Sequence, residues 1–281
     1  MSTTRTTLRT AGIVAAAVLT LGLAIPAAAS AATPAPATGS PSAKPTIVLV
    51  HGAWADASSF APVTARLQQD GYTVLSAPNP LRGLSTDAAS VAAFVNQATT
   101  GPVVLVGHSY GGSVITAAAT ATPRVTELVY VDAFAPATGE SVVSLSTGSG
   151  SALDTDPTRV FDAVQDPNLP TGDPDLYVKR DLFRSIFAAH LDAQDAAVLS
   201  ASQSPIAGGA LQETLTGAPA WATIPSWFVI GTDDKVIPQA GQVAMANRAH
   251  GRITTVKADH LSMLEQPGQI TQVIEKAARS K

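Results

Sequence analysis

The sequence predicts an α/β protein: a doubly wound, mainly parallel six-stranded sheet carrying an inserted, mostly helical cap. Three observations predict it. Short β-branched runs recur along the chain, helical stretches separate them, and one long section between about 135 and 220 breaks the alternation. Thr46–Val50 (TIVLV) and Pro102–Val106 (PVVLV) are continuous apolar runs, as expected of strands buried on both faces. Tyr72–Ser76, Leu128–Val131, Ser226–Ile230 and Arg252–Lys257 supply the other four. Helices are predicted over Ser58–Asp70, with Pro62 in the first turn and Gly71 after it, and over Ser85–Gln97, with a capping serine. Further helices cover Gly112–Ala121, Gln239–Ala249 (stopped by Gly251) and the segment from Pro267, a residue suited to a first helical turn. The interrupting section holds a Gly/Ser stretch, several Pro-Asp pairs and two helical runs near Asp175–Leu199. It has too little apolar sequence for a core of its own, so it is expected to lie over the sheet.

The ends of the chain differ from this body. Residues 1–32 carry Arg5 and Arg9, no acid, an apolar run from Ala11 to Ile25 and then small residues through Ala32, the three-part pattern of a secretory signal peptide. The run is shorter than the roughly 20 residues a membrane span requires, so no stable membrane anchor is expected after cleavage. No adjacent arginine pair marks a twin-arginine route. Residues 33–45, rich in Pro, Ala, Thr and Ser, are expected to be a flexible linker, leaving 46–281 as one domain. The expected location is extracellular.

Composition narrows the chemistry. The chain has 281 residues, a net charge of −4, 46% apolar residues and only 14% charged ones, which suits a packed core and opposes both disorder and electrostatic nucleic-acid binding. With no cysteine, thiolate nucleophiles, thiolate metal sites and disulfides are excluded. There is no P-loop, G-x-G-x-x-G or H-E-x-x-H, and Gly208-Gly209 is too short to cradle a phosphate, so no cofactor or metal is expected.

One motif carries reactivity. Gly107-His108-Ser109-Tyr110-Gly111 fits G-x-S-x-G directly after a buried strand and directly before a helix. The chain must reverse sharply there, which exposes the Ser109 hydroxyl and leaves no room for bulk at positions 107 and 111. A serine hydroxyl needs a base, and His260, in a loop after the last strand, is the candidate. His51, His108, His190 and His250 compete with it. The base needs a carboxylate; Asp234 and its neighbour Asp233 follow the fifth strand, and Asp132 follows the fourth.

In order and spacing these segments resemble the α/β-hydrolase superfamily. His51-Gly52-Ala53-Trp54 looks like its oxyanion loop, Gly107–Gly112 its nucleophile elbow, Gly231–Pro238 its acid turn and Ala258-Asp259-His260 its histidine loop. The resemblance runs from about 46 to 278, and a sheet without the usual leading antiparallel pair is similar to the plant methylesterase and hydroxynitrile-lyase branch. It implies Ser109 as nucleophile, His260 as base and Asp234 as orienting acid, since the family places the acid three residues after Gly231. It also implies oxyanion donation from the backbone N–H groups of Ala53 and Tyr110. Hydroxynitrile lyases of that branch place a lysine beside the histidine; here His260-Leu261-Ser262-Met263-Leu264 has none, so hydrolysis of a small carboxylic ester or lactone is expected. A ligand-binding protein with slow or no turnover, and cofactor-free perhydrolase chemistry, are the competing readings. Trp54 is a candidate pocket residue or a packed loop aromatic.

Overall fold

The computed structural model describes residues 44–280. The expected signal peptide and nearly all of the expected linker therefore lie outside the described residues.

Six parallel strands form the main sheet: β1 (Thr46–Val50), β2 (Val74–Ser76), β3 (Val103–Ser109), β4 (Val125–Ala133), β8 (Ser226–Gly231) and β9 (Arg252–Val256). Their spatial order is β2-β1-β3-β4-β8-β9. No antiparallel pair precedes β1 among the described residues. The chain steps from β1 outward to β2, returns past β1 to β3, and then continues in the opposite direction. With right-handed crossovers, that reversal places the first two connecting helices on opposite faces of the sheet. Helix Ala61–Gln69 packs with the last helix, Pro267–Arg279, while helix Leu84–Ala98 packs with Tyr110–Ala118. Strands covered on both faces need apolar residues throughout. All seven positions of β3 and four of five in β1 are buried.

The reversal also separates the loops leaving β1 and β3, opening a crevice at the carboxyl ends of the strands, where open α/β sheets take ligands. Register keeps those ends level: Val50 pairs with Gly107 and Ser109 with Ala133. The loops at 51–54 and 108–110 therefore meet side by side.

Element boundaries move in physically intelligible ways. The helix expected from Gly112 begins at Tyr110, directly after the elbow. The helix expected from Ser58 is a 3₁₀ turn over Ala57–Phe60 followed by an α-helix over Ala61–Gln69, because the Asp56 side chain accepts from Ser58 N–H and starts the turn early. The fourth strand is longer than Leu128–Val131, running Val125–Ala133 and hydrogen-bonding to both neighbours.

The insertion differs most. Helices Val142–Ser146, Pro157–Val160, Arg180–Phe187, Ala193–Ala201 and Gly208–Gln212 make up most of its regular structure, as expected. They are joined by a three-stranded antiparallel sheet that the sequence reading lacked: β5 (Phe161–Val164), β6 (Asp175–Val178) and β7 (Ile206–Ala207). Asp175–Val178, placed in a helical run from sequence, is a strand. Strands of four, four and two residues are too short to show periodicity, and their pairing partners lie far apart in sequence.

Glycine 107 fixes the elbow by absence of bulk. A Cβ there would lie 2.6 Å from the Gly111 carbonyl oxygen, whereas a Cβ on Gly241, within helix Gln239–Arg248, would meet nothing within 4 Å. Gly107→Ala is therefore expected to destabilise the protein by about 3 kcal/mol, the upper end for overpacking. Gly241→Ala should stabilise it by up to about 1 kcal/mol. Urea unfolding of both variants checks the pair; equal midpoints would refute the steric account.

Candidate active site

Ser109 ends β3 with φ 53° and ψ −124°. A non-glycine residue at that φ is strained, and strain of about 1–3 kcal/mol persists only where surroundings over-determine it. Here they do: a Cβ on Gly111 would lie 2.5 Å from the Val50 carbonyl oxygen and one on Gly112 2.4 Å from that of Phe134, so the helix behind the elbow is pressed against β1 and β4. Tyr110 anchors the same helix from its first residue. Its hydroxyl donates to Asp87 at 2.8 Å, and Asp87 also accepts from the backbone N–H groups of Arg82 and Gly83.

The structure brings three of the sequence-predicted side chains into a line. The Ser109 hydroxyl donates to His260 Nε2 at 2.9 Å, and His260 Nδ1–H donates to Asp234 Oδ2 at 2.9 Å. Asp234 is fixed by the turn that follows β8: Val236 N–H (2.8 Å) and Ile237 N–H (2.9 Å) donate to Oδ1, and Gln242 Nε2 donates to Oδ2 at 2.8 Å. His260 and the Asp234 carboxylate are both shut away from solvent. Burial pushes His260 down to about 3, against the opposing field of Asp259, and so keeps the imidazole neutral. Burial pushes Asp234 upward, and its two turn amides and Gln242 oppose that shift.

The competing residues go elsewhere. Asp233 faces outward with its side chain 41% exposed, 3.5 Å from His190 Nε2. Asp132, fully buried and at φ 43°, accepts from Gly231 N–H (2.6 Å) and Ser262 N–H (3.3 Å), tying the acid turn to the histidine loop. His51 donates through Nδ1 to the Gly52 carbonyl, and His108 Nε2–H donates to the His260 carbonyl at 2.9 Å. Each thus holds a backbone carbonyl of a loop at the site. His250 closes helix Gln239–Arg248 at φ 49°. Gln242 has no sequence signature; only the turn that precedes its helix aims it at Asp234.

Opposite the serine, the Ala53 N–H finds no acceptor among the described residues. The Tyr110 N–H, at the first position of its helix, has none within the helix. Two open amides beside a hydroxyl–imidazole pair can stabilise an oxyanion. An aromatic wall closes over them. Trp54 both packs and lines the cleft: it stacks on Phe161 (5.2 Å between ring centres), meets Phe187 edge-on (5.4 Å) and donates Nε1–H to the Leu176 carbonyl at 2.8 Å. Phe187 stands edge-on to His260 at 5.2 Å. Ser109 is only 2% exposed. A narrow cleft in this wall is lined by Ala53, Trp54, His108, Phe183, Phe187 and Leu261 among others.

Among the described residues one group could offer three metal ligands within 4.8 Å of one another: His190, Asp259 and Glu265. Their contacts are hydrogen bonds that fasten the insertion to the histidine loop. His190 Nδ1 lies 2.9 Å from Glu265 Oε2, and His190 N–H donates to Asp259 at 3.0 Å. His190, with its side chain 39% exposed, acts there as part of a latch. Burial, together with the bond and charge of Asp259, pushes Glu265 up to about 9, so a proton on Glu265 separates the two acids.

A serine elbow on a doubly wound parallel sheet, with acid and histidine loops after its last two strands, defines an α/β hydrolase. The chain belongs to the alpha/beta hydrolase family, whose profile matches residues 47–273. It is 36% identical over 110 residues to a carbendazim hydrolyzing esterase of Nocardioides sp. (strain SG-4G); that match covers 35% of this chain and 46% of the esterase, under half its length. It is 26% identical over 255 residues to the alpha/beta hydrolase nvfD of Aspergillus novofumigatus (strain IBT 16806), covering 84% of this chain and 97% of the relative. Among solved structures, an extracellular alpha/beta-hydrolase from a Paenibacillus species, described as sharing structural and functional homology with tobacco salicylic acid binding protein 2, superposes with a TM-score of 0.68. The two are 25% identical, with 84% of this chain and all of that one covered. That likeness to a homologue of a plant protein agrees with the branch that the trimmed sheet resembles. Among the described residues no helix is long and apolar enough to cross a membrane.

A raised carboxyl predicts a pH dependence. Between the unfolded value of about 4.5 and the folded value of about 9, the native state holds a Glu265 proton that the unfolded chain releases. The Glu265 contribution to stability is complete below that window and is lost as pH rises through it. Thermal unfolding between pH 5 and 9 is expected to show a decline that Glu265→Gln flattens. An unchanged slope in the variant would disprove the assignment.

Proposed function

We propose that the protein is an exported serine hydrolase of small carboxylic esters. The observation that carries this reading is the Ser109–His260–Asp234 run of hydrogen bonds, 2.9 Å at each step, next to loops whose Ala53 and Tyr110 N–H groups have no acceptor among the described residues. Ser109 Oγ attacks the ester carbonyl while His260 Nε2 takes the hydroxyl proton. Asp234 holds the Nδ1–H tautomer and stabilises the imidazolium that forms. The Ala53 and Tyr110 N–H groups receive the oxyanion. Collapse of the tetrahedral adduct expels the alcohol with the proton from His260, leaving an acyl-Ser109. Water, activated by the same histidine, then releases the acid and restores the serine.

Hydrolysis is favoured over cyanohydrin cleavage because no lysine follows His260, and the named activity of the Nocardioides relative supports an ester-type substrate. The apolar run Ala11–Ile25, with Arg5 and Arg9 before it and small residues after it, supports export with removal of residues 1–32, which N-terminal sequencing of the mature protein would test.

Ser109→Ala is expected to lower kcat/KM for p-nitrophenyl acetate and butyrate at least about a thousandfold, the scale of a triad member. A fluorophosphonate probe should label the wild type and not the variant. Product released in one burst without steady turnover would instead indicate a slow-turnover binding protein, and equal rates in the two proteins would overturn the reading.

The pH–rate profile tests His260 separately. A base held neutral by burial keeps working below the ordinary histidine value of 6.5, because it gains its proton only nearer its lowered pKa. The acid limb of kcat/KM is expected below pH 6; a midpoint at or above 6.5 would contradict it.

A further inference from the structure

We propose that His190, Asp259 and Glu265 form a binding site for one divalent metal ion of the zinc class, which clasps the insertion to the histidine loop. Each residue offers one ligand atom, and the three atoms lie within 4.8 Å of one another. His190 belongs to the insertion, Asp259 directly precedes His260, and Glu265 ends the short helix Ser262–Glu265. None of the three takes part in the Ser109–His260–Asp234 hydrogen bonds. The two acids lie 69 and 75 residues from His190, so no spacing motif announces the group, and only folding assembles it.

The spacing suits zinc. Bonds of about 2.0–2.2 Å to nitrogen and oxygen put neighbouring ligand atoms of a tetrahedral site roughly 3.3–3.6 Å apart. The observed spacings bracket that value: 2.9 Å between His190 Nδ1 and Glu265 Oε2, and at most 4.8 Å within the group. The ligands also have outer partners that aim them. The His190 and Leu261 N–H groups donate to the two oxygens of Asp259 at 3.0 and 3.2 Å. Asp233 lies 3.5 Å from His190 Nε2, so it holds the ring by one nitrogen and leaves Nδ1 to ligate. Such bonds fix the orientation of metal ligands and raise their basicity.

The local charge calls for a cation. Asp259 is 2% exposed and the Glu265 side chain 7%. Among the described residues no Lys or Arg bonds to either; their partners are His190 and backbone amides. Buried charges are ordinarily paired or coordinate a metal. An open cleft beside the group carries Asp192 and Asp195 against Lys257 alone. Its excess of acid draws cations and leads them from solvent to His190. An imidazole among the ligands favours zinc over calcium or magnesium, which take oxygen. Zn²⁺ enters from solution, forms one bond to nitrogen and two to oxygen, and sends the proton held by Glu265 to solvent, with no change of oxidation state.

The test uses untagged protein, stripped with EDTA and desalted. Thermal unfolding near neutral pH is followed with no metal and with ZnCl2, CaCl2 or MgCl2, for the wild type, His190→Ala, Glu265→Gln and His250→Ala. Zinc at about a hundredfold excess over its Kd is expected to raise the wild-type Tm by at least about 5 °C. His190→Ala and Glu265→Gln should lose that rise, whatever their own starting Tm. His250→Ala removes an exposed imidazole elsewhere and should keep it. Native mass spectrometry should find one zinc per wild-type chain, and Co²⁺ in its place should give the visible d–d bands of a four-coordinate site, absent in His190→Ala.

No zinc-dependent rise in the wild type would overturn the site. An equal rise in His190→Ala or Glu265→Gln would mean an adventitious ion only and would overturn it as well. A calcium response as large as the zinc response would overturn the assignment of the ion. None of these readouts needs turnover, so they decide the site whether or not the hydrolase reading holds.

Discussion

The site depends on how closely two loops approach at the carboxyl edge of the sheet. A Cβ on Gly52 would lie 2.6 Å from the Ser109 Cβ, and one on Gly111 2.5 Å from the Val50 carbonyl oxygen. That proximity follows from β1 and β3 being adjacent and parallel, with the end of β1 at Val50 paired to Gly107. It holds Ser109 at a strained φ, with its hydroxyl bonded to His260. Loosening either glycine would free the strain and spoil the alignment together, so stability and reactivity share one steric cause.

Around that turn the protein buries several ionisable groups and answers each with partners. Asp234 receives three protein donors besides His260, Asp132 receives the Gly231 and Ser262 amides, and Asp87 receives Tyr110 and two amides. A buried charge without such partners would neutralise or unfold its surroundings. The same desolvation keeps His260 and His108 neutral, which suits a base awaiting a serine proton. On the far side of the histidine loop, His190 joins the insertion to Asp259 and Glu265 by hydrogen bonds.

The insertion decides access. Its own small sheet and helices bring Phe161, Phe183 and Phe187 over the reacting groups, and Trp54 leans up from the body to complete the wall. Beneath this wall Ser109 is only 2% exposed.

The sequence by itself determined the parallel sheet, the order of its motifs and the place of Ser109 in its elbow, while His260 and Asp234 were chosen among competitors by the family resemblance. Each of those signals is local: TIVLV and PVVLV declare buried strands, and G-x-S-x-G between a strand and a helix admits few geometries. The resemblance to the family, which places the acid three residues after Gly231, selected Asp234 over Asp233, and the structure turns Asp233 outward to His190. Only the tertiary structure decided the rest. Gln242 reaches Asp234 because a turn folds its helix back, Asp132 braces two loops 99 and 130 residues away, and Phe161 meets Trp54 across more than a hundred residues. The strands of the insertion pair in the same long-range manner and are too short to announce themselves. Such contacts are fixed by which surfaces become neighbours on folding, and that information is spread over the whole chain.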